Sequence, residues 1–373
     1  MTKREKQIVE ILRKEPMICQ QDLADRLGVS RSSVAVHITN MMKKGIIAGK
    51  GYVIREDNYI AVVGGANMDI FGMPDHAFQR EDSNPGRVVQ SPGGVGRNVA
   101  ENLARLCVPV RLFTLLGEDV NGDVLMARTQ EAGVDTSYIQ RERLHPTGVY
   151  LAVQDEKGEM RSAISQMEIY DQMDESYPES VLRVLSGASL MMLDTNLSPE
   201  ALAFLLYRLP QTRMFLDPVS SVKARRVKHF INRFDTIKPN VHEVEALSGI
   251  PVTDDESLVT NAKYFLRRGV KHIFITLGDR GVFVADSSRM GFVQAKPCSI
   301  KNANGAGDAF MAAIMMTAME TEDTKLWALN GMAAAILTLS TEHTINRDMN
   351  PSRLEEIKKE YEITWKDLQN TSI

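Results

Sequence analysis

The chain has 373 residues, of which 25% are charged and 43% hydrophobic, and a formal net charge of -4. That length fits one large domain plus a small one, and the near-neutral balance excludes wholesale coating of nucleic acid. No run approaches the roughly 18 apolar residues needed to span a bilayer. The start "MTKREKQIVEILRKEP" lacks the apolar core of a signal peptide, so a soluble cytoplasmic protein with no membrane partner is expected.

The average hides an asymmetry. Through Arg55 there are 11 Lys and Arg against 5 Asp and Glu, a balance of +6 that leaves -10 on the remainder. A basic head (1–57) on an acidic body (58–373) predicts two parts with different partners. Cys19, Cys107 and Cys298 show no CxxC pairing and are expected to be reduced, buried small hydrophobes.

In chain order, Ile8, Ile11 and Leu12 recur at helical spacing before Pro16. In "ICQQDLADRLGVSRSSVAVHITNMMKKGII", Leu23, Ala24 and Leu27 form an apolar face, Gly28 breaks the helix and Ser30 is placed to cap the next. That next helix turns Val34, Ile38 and Met41–Met42 inward and leaves Arg31, Ser32, Ser33, His37 and Asn40 outside. "GIIAGKGYVIRE" reads as a hairpin tipped by Lys50. The order resembles the winged helix-turn-helix heads of bacterial transcription factors. Such a head presents polar side chains to base edges of double-stranded DNA, here those five residues, while Lys43, Lys44 and Lys50 meet phosphates. The plain alternative is a dimerisation module whose charges are merely solvated.

From Tyr59 the texture changes. "YIAVVGGANMD", "VRLFTLLG", "ASLMMLDTN", "TRMFLDPV", "DTIKPN" and "KHIFITLG" are strand candidates, several separated by helix-length segments. The alternation predicts an α/β fold, a parallel sheet with helices on both faces. Ligands bind such sheets at the strands' carboxyl ends, where Asn67, Asp69, Asp194, Asn196, Asp217, Asn240 and Thr276 fall. Two turn-rich stretches near 71–92 and 147–167 are expected to form a small β lid.

In "NANGAGDAF", Gly305-Ala306-Gly307 turns the backbone and points N–H groups into one space, and an apolar helix follows. Its positive end favours an anion there. Asp308 at the helix start is either a base beside that cradle or a simple cap. "PGGVGRNVA" (92–100) again sets glycines before a helix.

With both motifs present, the body resembles the ribokinase-like (PfkB) family, and within it the pseudouridine kinases, on "GGANMD", "HPTGVYLAVQDEKGEM" and "STEHTINRDMNPS". The resemblance implies a three-layer α/β/α sandwich with a small β lid, and ATP with Mg2+. Asp308 becomes the base, expected to stay ionised at the helix end, with the N–H groups of Gly305, Ala306 and Gly307 as anion hole. Asn67, Asp69, Gly93, Gly94 and Asn98 would meet the sugar. Asn240 and Glu243 form the N-x-x-E motif, Glu243 ordering water around magnesium. Thr276, Gly278 and Gly281 would line the nucleotide, flanked by Asp217 and Lys223. Ser165 and Gln166 stand where an Asn-Asp pair would meet the base. Asn302 replaces an Asp that helps hold a monovalent cation in many members, which leaves the K+ requirement open. Arg97 receives no role beyond a surface ion pair. The expected activity is phosphorylation of a nucleoside 5′-hydroxyl by a homodimer, pseudouridine first, then inosine or guanosine, then a free sugar. The rival of another class is a transcription regulator that only senses its ligand.

Overall fold

The computed structural model describes residues 2–15, 18–47, 58–157 and 159–368. They form two compact units that meet at Asn58–Tyr59 along the chain.

The first unit holds helices α1 (Lys3–Lys14), α2 (Gln20–Leu27) and α3 (Arg31–Lys43). Gly28 ends α2 in the left-handed region at φ 62°, and the Ser30 hydroxyl accepts the Ser33 N–H at 3.2 Å to start α3. Ile8, Leu12, Leu23, Ala24, Val34, Ile38 and Met41 close one small core. Met42 is 46% exposed, so only Met41 of the methionine pair faces inward. On α3, Arg31, Ser32 and Asn40 are exposed, while Ser33 and His37 are half-buried. Lys44, its side chain 51% exposed, pairs with the buried Glu5 carboxylate at 2.7 Å. Pro16, Lys50 and most of the expected hairpin lie outside the described residues.

In the larger unit the main sheet has nine strands. Their order is β15 (Thr364–Asp367), β14 (Met290–Gln294), β13 (Val282–Asp286), β12 (His272–Thr276), β11 (Thr236–Ile237), β10 (Arg213–Asp217), β9 (Leu190–Asp194), β1 (Ile60–Val63) and β4 (Val110–Phe113). From β4 to β12 the pairing is parallel. Strands β13 to β15 add an antiparallel edge that the strand pattern did not predict. The continuous apolar runs resolve into two cores. Ala61, Val63, Met191, Leu193, Met214 and Leu216 point into one, and Ile60, Val62, Leu190, Met192 and Phe215 into the other. A sheet buried on both faces requires such runs.

A second sheet has the order β3 (Gly86–Gly93), β2 (Asn67–Pro74), β7 (Gly148–Gln154), β8 (Met160–Gln166). It gathers the two stretches expected to make a lid. Strands β5 (Leu115–Gly117) and β6 (Gln140–Glu142) form a separate pair. The chain passes from β1 through Gly64–Ala66 straight into β2, so Asn67 and Asp69 sit where the two sheets meet. Cys19 and Cys107 are exposed and Cys298 half-buried, against the expectation of burial. Among the described residues no helix is long and apolar enough to cross a membrane.

Candidate active site

Three helices start beside the carboxyl ends of the parallel strands: α4 (Val95–Arg105), α5 (Val241–Ser248) and α6 (Ala306–Ala318). Asp194, fully buried at the end of β9, ties the first of these to β1. Its carboxylate accepts N–H groups from Gly65 at 2.7 Å and Gly96 at 3.0 Å. Side chains at Gly64 or Gly96 would overlap that junction. Burial lifts the Asp194 pKa, opposed by hydrogen bonds from Gly65 and Asn196.

On the β2 side, the Asn67 amide donates to Asp69 at 2.6 Å. Asn67 pairs in register with Gly93 of β3. A side chain at Gly93 would overlap the Asp69 carboxylate, and one at Gly94 (φ 94°) would strike the backbone of Gly65 and Ala66. Burial raises the Asp69 pKa to about 6, with Asn67 and Arg97 opposing.

The α6 side begins at Gly305, whose φ of 80° and contact with the Thr344 carbonyl leave no room for a Cβ. Asp308, one turn in and 9% exposed, accepts the Asn98 amide N–H at 2.9 Å. Burial, then Asp217, pushes its pKa up to about 8; Asn98 and Lys238 oppose, and Asp194 adds. Burial beside Asp217 and Asp194 thus works against the ionised Asp308 expected at a helix start.

Lys238, absent from the sequence-derived site, supplies the counter-charge. It is 5% exposed, 2.9 Å from the Asp217 carboxylate, and 3.3 Å from where a Cβ on Gly307 would lie. Burial works to neutralise its ammonium, but Asp217, Glu243 and Asp308 outweigh that and hold its pKa above the usual lysine value. A lysine directly before Pro239-Asn240 was the available signal. Next to it, Val219 adopts φ 61° while donating its N–H to Asp217 at 2.9 Å, a strained conformation for a β-branched residue.

The N-x-x-E motif forms a capping box at the start of α5. Asn240 N–H donates to the Glu243 carboxylate at 2.9 Å, and Glu243 N–H to the Asn240 side chain at 2.9 Å. Burial, then Asp217, raises the Glu243 pKa to about 6 against the pull of Lys238. Asn240 bridges to Thr276 across β11 and β12. Gly278 (φ 65°) has open space around its Cα, whereas a side chain at Gly281 (φ 87°) would strike the Val293 carbonyl. Lys223 donates to the Asn196 side chain at 2.6 Å, its pKa lowered by burial against the pull of Asp194. Asn302 donates to the Glu342 carbonyl at 3.0 Å and accepts Asn304 N–H at 2.9 Å. Ser165 and Gln166 are exposed on β8 and are not among the groups gathered around Asp308.

The pfkB family carbohydrate kinase pattern matches residues 57–352. The chain belongs to that family. The relation to the uncharacterized sugar kinase YeiI of Escherichia coli (strain K12) is 36% identity, over 86% of this chain and 89% of that one. To the pseudouridine kinase of the same organism it is 33%, over 80% and 95%. The solved structure of a sugar kinase from Clostridium perfringens superposes with a TM-score of 0.74 at 35% identity, covering 84% of this chain and 98% of that one. The winged helix-turn-helix DNA-binding pattern matches residues 1–48.

This pfkB kinase is thus a phosphotransferase with an alcohol acceptor, acting on a sugar or nucleoside, and kinases of its family use ATP and Mg2+. Among the described residues no three His, Cys, Asp or Glu side chains converge to hold a metal ion. The buried carboxylates of Asp217 and Glu243 nevertheless flank Lys238, which fits a magnesium ion carried on nucleotide phosphates and met through water.

Proposed function

We propose that the larger unit transfers the γ-phosphoryl group of ATP to the 5′-hydroxyl of pseudouridine. The observation that carries the reading is the meeting of Asn98 and Asp308, which joins the helix behind Gly93–Gly94 to the helix that opens at Gly305. An acceptor held by Asn67, Asp69, Gly93, Gly94 and Asn98 then presents its primary hydroxyl to Asp308. The hydroxyl oxygen attacks the phosphorus, the bond to the ADP oxygen breaks, and the proton passes to Asp308. A base whose pKa lies near neutrality suits this task.

Backbone N–H groups of Gly305, Ala306 and Gly307, with the Lys238 ammonium beside them, face the charge that spreads over the migrating group. Asn240, Glu243, Thr276, Gly278, Gly281, Asp217 and Lys223 line the nucleotide side, with Glu243 ordering the water around Mg2+. Magnesium would neutralise phosphate charge there. Ser165 and Gln166 reach the base only if the second sheet closes over the acceptor.

The 33% identity to a pseudouridine kinase supports that substrate; inosine, guanosine or a free sugar is the second reading. An ATP-consumption screen across nucleosides, ribose and hexoses tests it. Turnover with pseudouridine is expected. Activity on a sugar with none on any nucleoside would overturn the substrate.

The head is proposed to bind double-stranded DNA through Arg31, Ser32, Ser33, His37 and Asn40. A homodimer is proposed as well, because Val88, Val89, Leu151, Met160 and Ile164 stand exposed on the second sheet, with Leu151 and Ile164 directly opposite across β7 and β8.

A further inference from the structure

Arg97 is not a surface residue. It is 3% exposed, and its partner Glu101, one turn along α4, is 6% exposed. The guanidinium donates to the Asn98 side-chain oxygen at 3.0 Å, the Pro92 carbonyl at 3.2 Å and the Thr129 hydroxyl at 3.3 Å, and its other end pairs with Glu101. Glu101 is held in turn by Arg105 at 2.7 Å. A buried ion pair adds little net stability over an apolar pair of the same volume. Its consequence here lies in the hydrogen bonds it dictates.

We propose that Arg97 is a positioning residue for phosphoryl transfer: it captures the oxygen of the Asn98 amide, so that Asp308 always faces the amide N–H. Arginine can only donate hydrogen bonds, whereas the two ends of an asparagine amide differ, one accepting and one donating. With its oxygen fixed on Arg97, Asn98 must turn its NH2 toward Asp308, where it lies at 2.9 Å. A donor favours the ionised carboxylate, the form that accepts the substrate proton. Released from Arg97, the amide could rotate and offer its oxygen to a protonated Asp308, which would retain that proton. The relay runs Arg105, Glu101, Arg97, Asn98, Asp308, and its first four members lie on α4.

This inference rests on Asp308 acting as the base. The other charged groups facing Asp308 are Asp194, Asp217 and Lys238, from the ends of β9 and β10 and the segment after β11, and the test leaves all three in place. Arg97→Lys keeps the charge and a partner for Glu101 but loses the fork that reaches Asn98. The kcat of this variant, measured against pH at saturating ATP and acceptor, is expected to show its acid limb displaced upward by about one pH unit. Turnover at pH 7 falls about tenfold, while the KM for ATP is unchanged. The double variant with Asn98→Ala is expected to be no slower than Asn98→Ala alone, because Arg97 acts only through Asn98. An acid limb that stays in place, or two losses that multiply, overturns the proposal. If Arg97→Lys does not fold, Asn98→Ala alone decides, since the same upward displacement is required of it. Asp308→Asn separates this inference from the reading beneath it. Full turnover in that variant sinks the base assignment itself, whereas collapse of Asp308→Asn with an unmoved limb in Arg97→Lys sinks only the role of Arg97.

Discussion

As the proposed base, Asp308 would carry opposite demands from folding and from chemistry. In the unfolded chain its carboxyl ionises near the ordinary aspartate value, but in the fold burial and Asp217 raise its pKa to about 8. Between those two values the native state binds a proton that the unfolded state has lost. Its contribution to stability therefore falls as pH rises through that window. Asparagine has no proton to release. Asp308→Asn is thus expected to melt close to the wild type at pH 5 and progressively above it toward pH 8 and 9, which thermal melts across that range would check. A constant difference would show that ionisation of Asp308 is not the source. The same variant is expected to lose about 10²- to 10⁴-fold in turnover while nucleoside binding, followed by calorimetry, persists.

At the scale of elements, the site depends on turns as much as on side chains. Gly305 opens α6 at φ 80° against the Thr344 carbonyl, whereas Gly278 adopts φ 65° with open space around it. Alanine at either position meets the left-handed strain of about 1–2 kcal/mol, but only at position 305 does the Cβ also meet a wall. Gly305→Ala should therefore lower the melting temperature more than Gly278→Ala and abolish turnover with it. Equal losses would mean that the Thr344 segment yields.

The glycine motifs, the capping Ser30 and the strands with continuous apolar runs were legible in the sequence because each is a local pattern. Asn98 and Asp308 are 210 residues apart and meet only through the order of strands. The same topology places Lys238 against Gly307, so its position before Pro239-Asn240 in "DTIKPN" marks it without showing what it meets. Strand β15, with a half-buried Trp365 among exposed neighbours, is defined by its pairing with β14 rather than by any run of its own. Within the N-x-x-E motif of Asn240 and Glu243, the family resemblance assigns Glu243 to the water around magnesium. Their geometry also makes a capping box, and both uses need the same spacing.

The whole chain joins a kinase to a DNA-binding fold, and its charge is divided accordingly, +6 through Arg55 against -10 beyond it. Head and body can act on one another only if acceptor or nucleotide binds the DNA-bound and free forms with different affinity, and that coupling is reciprocal. A body that served only as a ligand sensor would need no base, so turnover that collapses in Asp308→Asn while DNA binding stays intact would separate the two roles. The DNA binding proposed for α3 would be electrostatic in part, so affinity should fall as salt rises. At one fixed salt concentration, DNA affinity measured with and without pseudouridine is expected to differ by about 5- to 150-fold, the usual span of such coupling. Fluorescence anisotropy with a labelled operator, selected from a random duplex library, reads that difference directly. Equal affinities would show that the head and the kinase share a chain without sharing an equilibrium.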